Sequence, residues 1–147
     1  MTKVIVSGAN GFVGGALTRE LIANGIKVVA LDMEGHNNNL PESDLVEFYP
    51  FSLDNAEELQ ERLADRDFDT FYHFAWAGSA GPARADTALQ LKNAQWTVDC
   101  LRLAKKLGCT RFVNAGSIME LETIKAVFNP GNKPGLGYIC LLYTSDA

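Results

Sequence analysis

Three glycines, Gly8, Gly11 and Gly14, stand in the run Gly8-Ala9-Asn10-Gly11-Phe12-Val13-Gly14, which follows the apolar stretch Val4-Ile5-Val6 after one residue, Ser7. A run of this kind can hold an anion. Side chains at the first two positions would obstruct a tight turn or the approach of a diphosphate to the backbone, and one at the third would push the following helix off the sheet. A phosphate at this turn meets unpaired N–H groups at a helix N-terminus, where the helix dipole also favours negative charge. Glycines alone would mark an ordinary turn. A buried strand before them and an amphipathic helix after them make dinucleotide binding the stronger reading, with Asn10, Phe12 and Val13 counted among the cofactor-binding residues.

A carboxylate follows at Asp32, 18 residues beyond Gly14 and at the end of the next apolar run. It is placed to accept hydrogen bonds from both hydroxyls of an adenosine ribose. The plain alternative is a solvated strand-end aspartate. Against a 2′-phosphate its charge repels, by roughly 1–4 kcal/mol per pair of unit charges about 4 Å apart at effective dielectric constants between about 80 and 20. NAD is therefore expected in preference to NADP.

These groups need a scaffold that brings the ends of successive strands to one edge. Val4-Ile5-Val6 fits a strand buried on both faces of a parallel sheet. The spacing then predicts a helix with Val13, Ala16, Leu17, Leu21 and Ile22 on its inner face, stopped by Asn24-Gly25. Val28–Leu31 predicts a second strand, Glu34–Ser43 a loop and Val46–Phe51 a third strand. Asn55 with Glu58 forms a capping-box signature for a helix that turns Leu59 and Leu63 inward. A fourth strand is predicted over Thr70–Ala75. A long helix from Ala83 to Leu107, with Leu91, Ala94, Val98 and Leu101 on its inner stripe, leads to Gly108 and a fifth strand at Arg111–Ala115. The stretch Asn129–Gly137 reads as a loop. Such alternation implies an α/β fold, a Rossmann-type doubly wound parallel sheet that binds ligands beyond the carboxyl ends of its strands.

Composition agrees with one soluble globular domain: 147 residues, 47% hydrophobic and 21% charged. The net charge of −5 argues against nucleic acid or an anionic membrane as partner and leaves a small molecule. No apolar run approaches the roughly 20 residues of a membrane span, and the opening stretch is too short for a signal-peptide core, so a cytoplasmic location is expected. Cys100, Cys109 and Cys140 form no CxxC pair and have no nearby histidine, so free thiols are expected and no metal site.

The GxxGxxG spacing resembles that of the extended short-chain dehydrogenase/reductases, the group that includes NAD-dependent nucleotide-sugar epimerases and dehydratases. His73-Phe74-Ala75-Trp76-Ala77-Gly78 is similar to that family's H-x-A-A segment. This resemblance implies that Phe74, Ala75 and Trp76 pass close to the diphosphate and the nicotinamide ribose, whereas His73 itself fits a satisfied core histidine as well as a functional one. Asn93-Ala94-Gln95-Trp96-Thr97 resembles the family's N-V-x-G-T stretch, whose asparagine, here Asn93, ties the long helix to strand four. Asn114-Ala115-Gly116-Ser117 is similar to the S-S-S turn, with Ser117 at the place of the catalytic serine or threonine, or else an ordinary turn serine.

Two departures from the family pattern carry consequences. An aspartate usually contacts the adenine amino group after strand three, and Ser52, beside Leu53, stands there instead. The Y-x-x-x-K pair is absent, with Cys140 where the tyrosine is expected and Thr144 where the lysine is expected. Residues 1–139 are thus expected to form an incomplete NAD-binding domain that stops before the substrate-binding part. Residues 140–147 are expected to be a non-native tail, since Cys-Leu-Leu-Tyr-Thr-Ser-Asp-Ala resembles a translated sequencing adapter. The resemblance implies a parent enzyme that moves hydride between NAD and a nucleotide sugar, and it implies a homodimer. The alternative is a non-catalytic NAD(P)-binding sensor.

Overall fold

The computed structural model describes residues 2–36, 39–63 and 67–116. The elements are β1 (Lys3–Ser7), α1 (Phe12–Ala23), β2 (Lys27–Asp32), β3 (Val46–Pro50), α2 (Ala56–Arg62), β4 (Thr70–His73), α3 (Thr87–Lys106) and β5 (Arg111–Asn114). Short 3-10 turns at Leu53–Asn55 and Gly81–Ala85 precede α2 and α3. The strands form one all-parallel sheet in the order β3-β2-β1-β4-β5. Ser117, the stretch 129–137 and the segment 140–147 lie outside the described residues.

The chain divides into two compact units. The first comprises Met1–Ala75 and Trp96–Asn114 and holds the whole sheet. Side chains alternate across β1: Val4 and Val6 pack with Leu21, Val28 and Ala30, whereas Ile5 packs with Leu59, Phe71, Leu103 and Leu107. The sheet is therefore covered on both faces, by α1 on one side and by α2 and α3 on the other. Asp69 fastens its lower end. The Asp69 carboxylate accepts from the N–H groups of Thr2 (2.5 Å) and Lys3 (3.1 Å), and its carbonyl accepts from Thr110 N (3.0 Å). The N–H donors of Thr2 and Lys3 hold the Asp69 carboxyl below the usual carboxylate range. Among the described residues, the second unit comprises Trp76–Gln95 and residues 115–116.

The all-parallel Rossmann-type sheet stands as expected, and four details differ. Strands three, four and five end at Pro50, His73 and Asn114, short of the expected limits. On α1 the buried residues are Gly14, Gly15, Thr18 and Leu21, and Leu17 and Ile22 pack against the core as expected, but Val13 is 55% exposed and Ala16 is exposed. Two glycines and a threonine bring this helix close to the sheet, a face that a search for bulky apolar residues passes over. Asn55 precedes α2 but makes no capping bond, because the 3-10 turn draws it into another backbone conformation (φ −122°, ψ 40°).

The fourth difference is larger. On α3, Leu91 is 62% exposed and Leu101 48% exposed, whereas Gln90, Asn93, Cys100, Leu103 and Ala104 are buried. The helix is rotated from the expected face, since its inner stripe carries an amide pair, a thiol and an alanine that apolar periodicity underweights. Leu103→Ala should therefore cost about 2–5 kcal/mol in urea unfolding, while Leu101→Ala stays within about 0.5 kcal/mol. Equal losses would restore the expected stripe.

Candidate functional site

The chain runs outward from β1 to β3 and then returns to lay β4 on the other side of β1, so the strand order reverses between β1 and β4. Crevices for ligands open at such a reversal, beyond the carboxyl ends of the strands. The glycine turn lies there. Gly8 takes a left-handed conformation (φ 71°), and a Cβ on it would come within 2.7 Å of Ala75 N and 2.8 Å of the Phe74 carbonyl carbon. A Cβ at position 14 would lie 2.2 Å from the Gly8 carbonyl oxygen. A Cβ at position 11 meets only that same oxygen, at 3.2 Å, and otherwise faces open space. Packing thus leaves no room for a side chain at two of the glycines, whereas the space at Gly11 is open apart from that one contact.

The first hydrogen bond within α1 runs from Gly15 N–H to the Gly11 carbonyl (2.8 Å), and no side chain caps the helix. The N–H groups of Phe12, Val13 and Gly14 are left without an intrahelical acceptor. Phe12, 95% exposed, stands at the rim with Val13.

Asp32 closes the next strand beside this turn. One carboxylate oxygen accepts from Asn10 N–H (2.9 Å) and the other from Met33 N–H (2.9 Å), with His36 Nδ1 3.9 Å from the latter. Asn10 reaches further, as its Oδ1 accepts from Asn39 N–H (2.8 Å). Turn, carboxylate and the loop after β2 are joined through one asparagine. At the end of β3, Ser52 Oγ accepts from Asp54 N–H (3.4 Å), and the Asp54 carboxylate accepts from the Trp96 indole N–H (3.1 Å). Leu53 lies between them and packs against the core.

His73 ends β4 as a core residue. Its Nδ1 pairs with Ser7 Oγ (2.8 Å) and its Nε2 with Thr97 Oγ1 (3.2 Å). Burial pushes the imidazole down to about 4. Phe74 N–H continues the ladder to the Ser7 carbonyl (3.0 Å), and Phe74 with Ala75 crosses above Gly8. Burial also raises the thiols of Cys100 and Cys109, to about 12 and about 11, and neither is in a disulfide. Among the described residues no group of His, Cys, Asp or Glu could hold a metal ion, and no helix is long and apolar enough to cross a membrane.

In the second unit Asn93 is buried and binds both backbone groups of Ala77, accepting from its N–H (2.9 Å) and donating to its carbonyl (2.8 Å). Gln90, which the sequence reading missed, accepts from the Trp76 indole N–H (3.0 Å) and donates to the Ala83 carbonyl (3.0 Å). Ser7 and Thr97 were also missed. The available signal was spacing: Gln90, Asn93 and Thr97 recur at helical intervals on one polar stripe.

His73 gives a pH dependence with a definite sign. Its imidazole titrates near 4 in the folded chain against an ordinary 6.5, so the unfolded chain binds more protons between those values. The stability this residue confers is complete above pH 6.5 and is lost as the pH falls toward 4, by ~3 kcal/mol in full. Denaturant titrations across that window should show His73→Gln losing less stability than the unsubstituted chain. Parallel losses would mean that other groups govern the acid limb.

Comparison with curated proteins gives no match. Among solved structures, an epimerase from the methanogen Methanothermobacter thermautotrophicus is 28% identical with a TM-score of 0.70, covering 81% of this chain and 36% of its own. The UDP-glucose 4-epimerase of Thermotoga maritima, determined with UDP-glucose, is 23% identical with a TM-score of 0.67, covering 79% of this chain and 38% of its own. The enzyme WbmG of Bordetella bronchiseptica, in complex with NAD, is 18% identical with a TM-score of 0.70, covering 99% of this chain and 50% of its own. The last two likenesses carry the fold alone, and this chain spans at most half the length of any of the three. The profile of the NAD dependent epimerase/dehydratase family matches residues 4–126. Since that match runs from the first strand past the fifth and takes in the glycine turn and Asp32, the chain belongs to the NAD dependent epimerase/dehydratase family.

Proposed function

We propose that the chain is the NAD-binding part of an enzyme that acts by hydride transfer on a nucleotide sugar, in epimerisation, dehydration or reduction. The observation that carries this reading is the glycine turn at the strand-order reversal, open above Gly11, with the Asp32 carboxylate fixed beside it. NAD fits these residues, because the space above Gly11 is what a side chain would fill and a diphosphate would use. Gly8, Asn10, Gly11, Phe12, Val13 and Gly14 would hold the diphosphate. Ser52 and Leu53 would meet the adenine, and Phe74 with Ala75 would border the nicotinamide ribose. A carboxylate offers about four acceptor positions, so the two backbone bonds to Asp32 leave capacity for ribose hydroxyls. When bound, NAD supplies a carbon that takes a hydride from the sugar. Ser117 is proposed to hydrogen-bond the substrate oxygen.

The match to the NAD dependent epimerase/dehydratase family over residues 4–126 supports the cofactor and reaction classes. Cys140 and Thr144, standing where a tyrosine and a lysine are expected, favour a second reading for the chain as written, in which NAD binds without turnover. A homodimer of the parent enzyme is proposed through α3, where Leu101 is 48% exposed.

By calorimetry the chain should bind NAD more tightly than NADP, and Asp32→Ala should narrow the difference. Tighter NADP binding would overturn the cofactor assignment. Gly11→Val should fold and lose NAD binding, since the added side chain enters open space rather than the core. A folded Gly11→Val chain that binds NAD normally would reduce the glycine turn to a structural one.

A further inference from the structure

The loop that leaves β2 brings a second titratable group to the carboxylate of the proposed cofactor site. Residues 33–36 form a tight turn closed by a bond from His36 N–H to the Met33 carbonyl (3.0 Å), with Gly35 in the left-handed conformation (φ 76°). A Cβ at position 35 would meet nothing within 4 Å, so glycine there serves the backbone and not the packing. The turn folds the chain back on the end of its own strand, and His36 Nδ1 comes to lie 3.9 Å from Asp32 Oδ1. The Asp32 side chain is mostly buried, whereas that of His36 is more than half exposed. The imidazole is therefore open to protons from water while it stands beside the group that would hold the adenosine ribose.

Few groups set the charge at this place. Among the described residues Asp32 is the ion-pair partner of His36, and the exposed Glu34 stands on the same turn. From the glycine turn and from the loop beyond, Asn10 and Asn39 contribute uncharged amides. The chain has two histidines, and the other, His73, is buried and pushed down to about 4. A hydroxyl bound to a carboxylate oxygen lies about 2.7 Å from it. Whichever oxygen of Asp32 takes the ribose 2′-hydroxyl, a phosphate on that position starts within about 9 Å of His36 Nδ1, inside the Debye length of about 10 Å at about 0.1 M salt. An imidazolium there offsets the carboxylate and attracts the phosphate, whereas a neutral imidazole leaves the carboxylate to repel it. A free 2′-hydroxyl, being uncharged, is little affected by either.

We propose that His36 is a specificity-determining residue whose charge sets how strongly the site rejects the 2′-phosphate of NADP: neutral, it leaves Asp32 to select NAD, and protonated, it narrows the preference. The proposal rests on the NAD-binding reading above and extends it to the control of cofactor choice. Imidazole changes its charge between about pH 8 and about pH 5, so the preference for NAD should fall across that interval.

The test is calorimetric titration of the 147-residue chain with NAD, and with NADP by displacement of NAD, at about pH 8 and about pH 5.5, folding being checked by circular dichroism at each. A 2′-phosphate sheds part of its own charge over this range, since its second pKa lies near 6, and that change acts equally on every variant. The ratio of NAD to NADP affinity should therefore fall about fivefold further in the unsubstituted chain than in His36→Gln. His36→Arg, charged throughout, should bind NADP at pH 8 about fivefold more tightly than His36→Gln does, with NAD affinity little changed. Equal falls in the unsubstituted and His36→Gln chains, or a folded His36→Arg chain that binds NADP no better than His36→Gln, would overturn the inference and leave the NAD-binding reading standing. Failure to bind either dinucleotide would overturn both.

Discussion

The contact on which the rest depends is the one between position 14 and the Gly8 carbonyl, where a single added carbon would sit 2.2 Å from oxygen. Because nothing projects from Gly14, α1 starts directly against the turn that leaves β1. That close start aims the first N–H groups of the helix into the crevice and brings Asn10 N–H within reach of Asp32. The carboxylate is thus ordered by the same turn that would receive the diphosphate, and the two halves of the site are not independent. Anything that displaced the helix would release both.

Polar contacts near the carboxyl ends of the strands are as selective as the glycine packing. His73 is held neutral between two hydroxyls, Ser7 on β1 and Thr97 on α3, so that the sheet and the helix meet through a satisfied network instead of an apolar seam. The amides of Gln90 and Asn93 do the same for the segment from Trp76 to Ala83, replacing a regular element with side chains that mimic backbone partners. Buried groups of this kind tolerate little substitution, since each loss strands a partner without water.

Much of this could be read in the sequence, and the limits have physical causes. The continuous apolar runs of β1 and β2, set between helical stretches, specified the parallel sheet, and the Gly8–Gly14 spacing with Asp32 located the crevice. The inner face of α3 was missed because Gln90, Asn93, Thr97 and Cys100 replace the large apolar residues by which such faces are found. On α1, close packing through Gly14, Gly15 and Thr18 left Val13 in solvent for the same reason. The Trp96–Asp54 bond joins residues 42 positions apart, and nothing local in the chain announces it.

The position of Asp69 has a consequence for how the protein is made. Its carboxylate secures the N–H groups of Thr2 and Lys3, and the strand that follows it, β4, is one of the two neighbours of β1. A ribosome releases the chain from its amino end, so β1, β2 and β3 leave the exit tunnel while one long edge of β1 still lacks its partner. That edge carries Val4, Ile5 and Val6, among the most apolar residues of the sheet, and it stays open until the chain has grown to His73, 70 residues past Lys3. The nascent protein is most exposed to mispairing during this interval, and a chaperone that shields short apolar strands would have its greatest effect then.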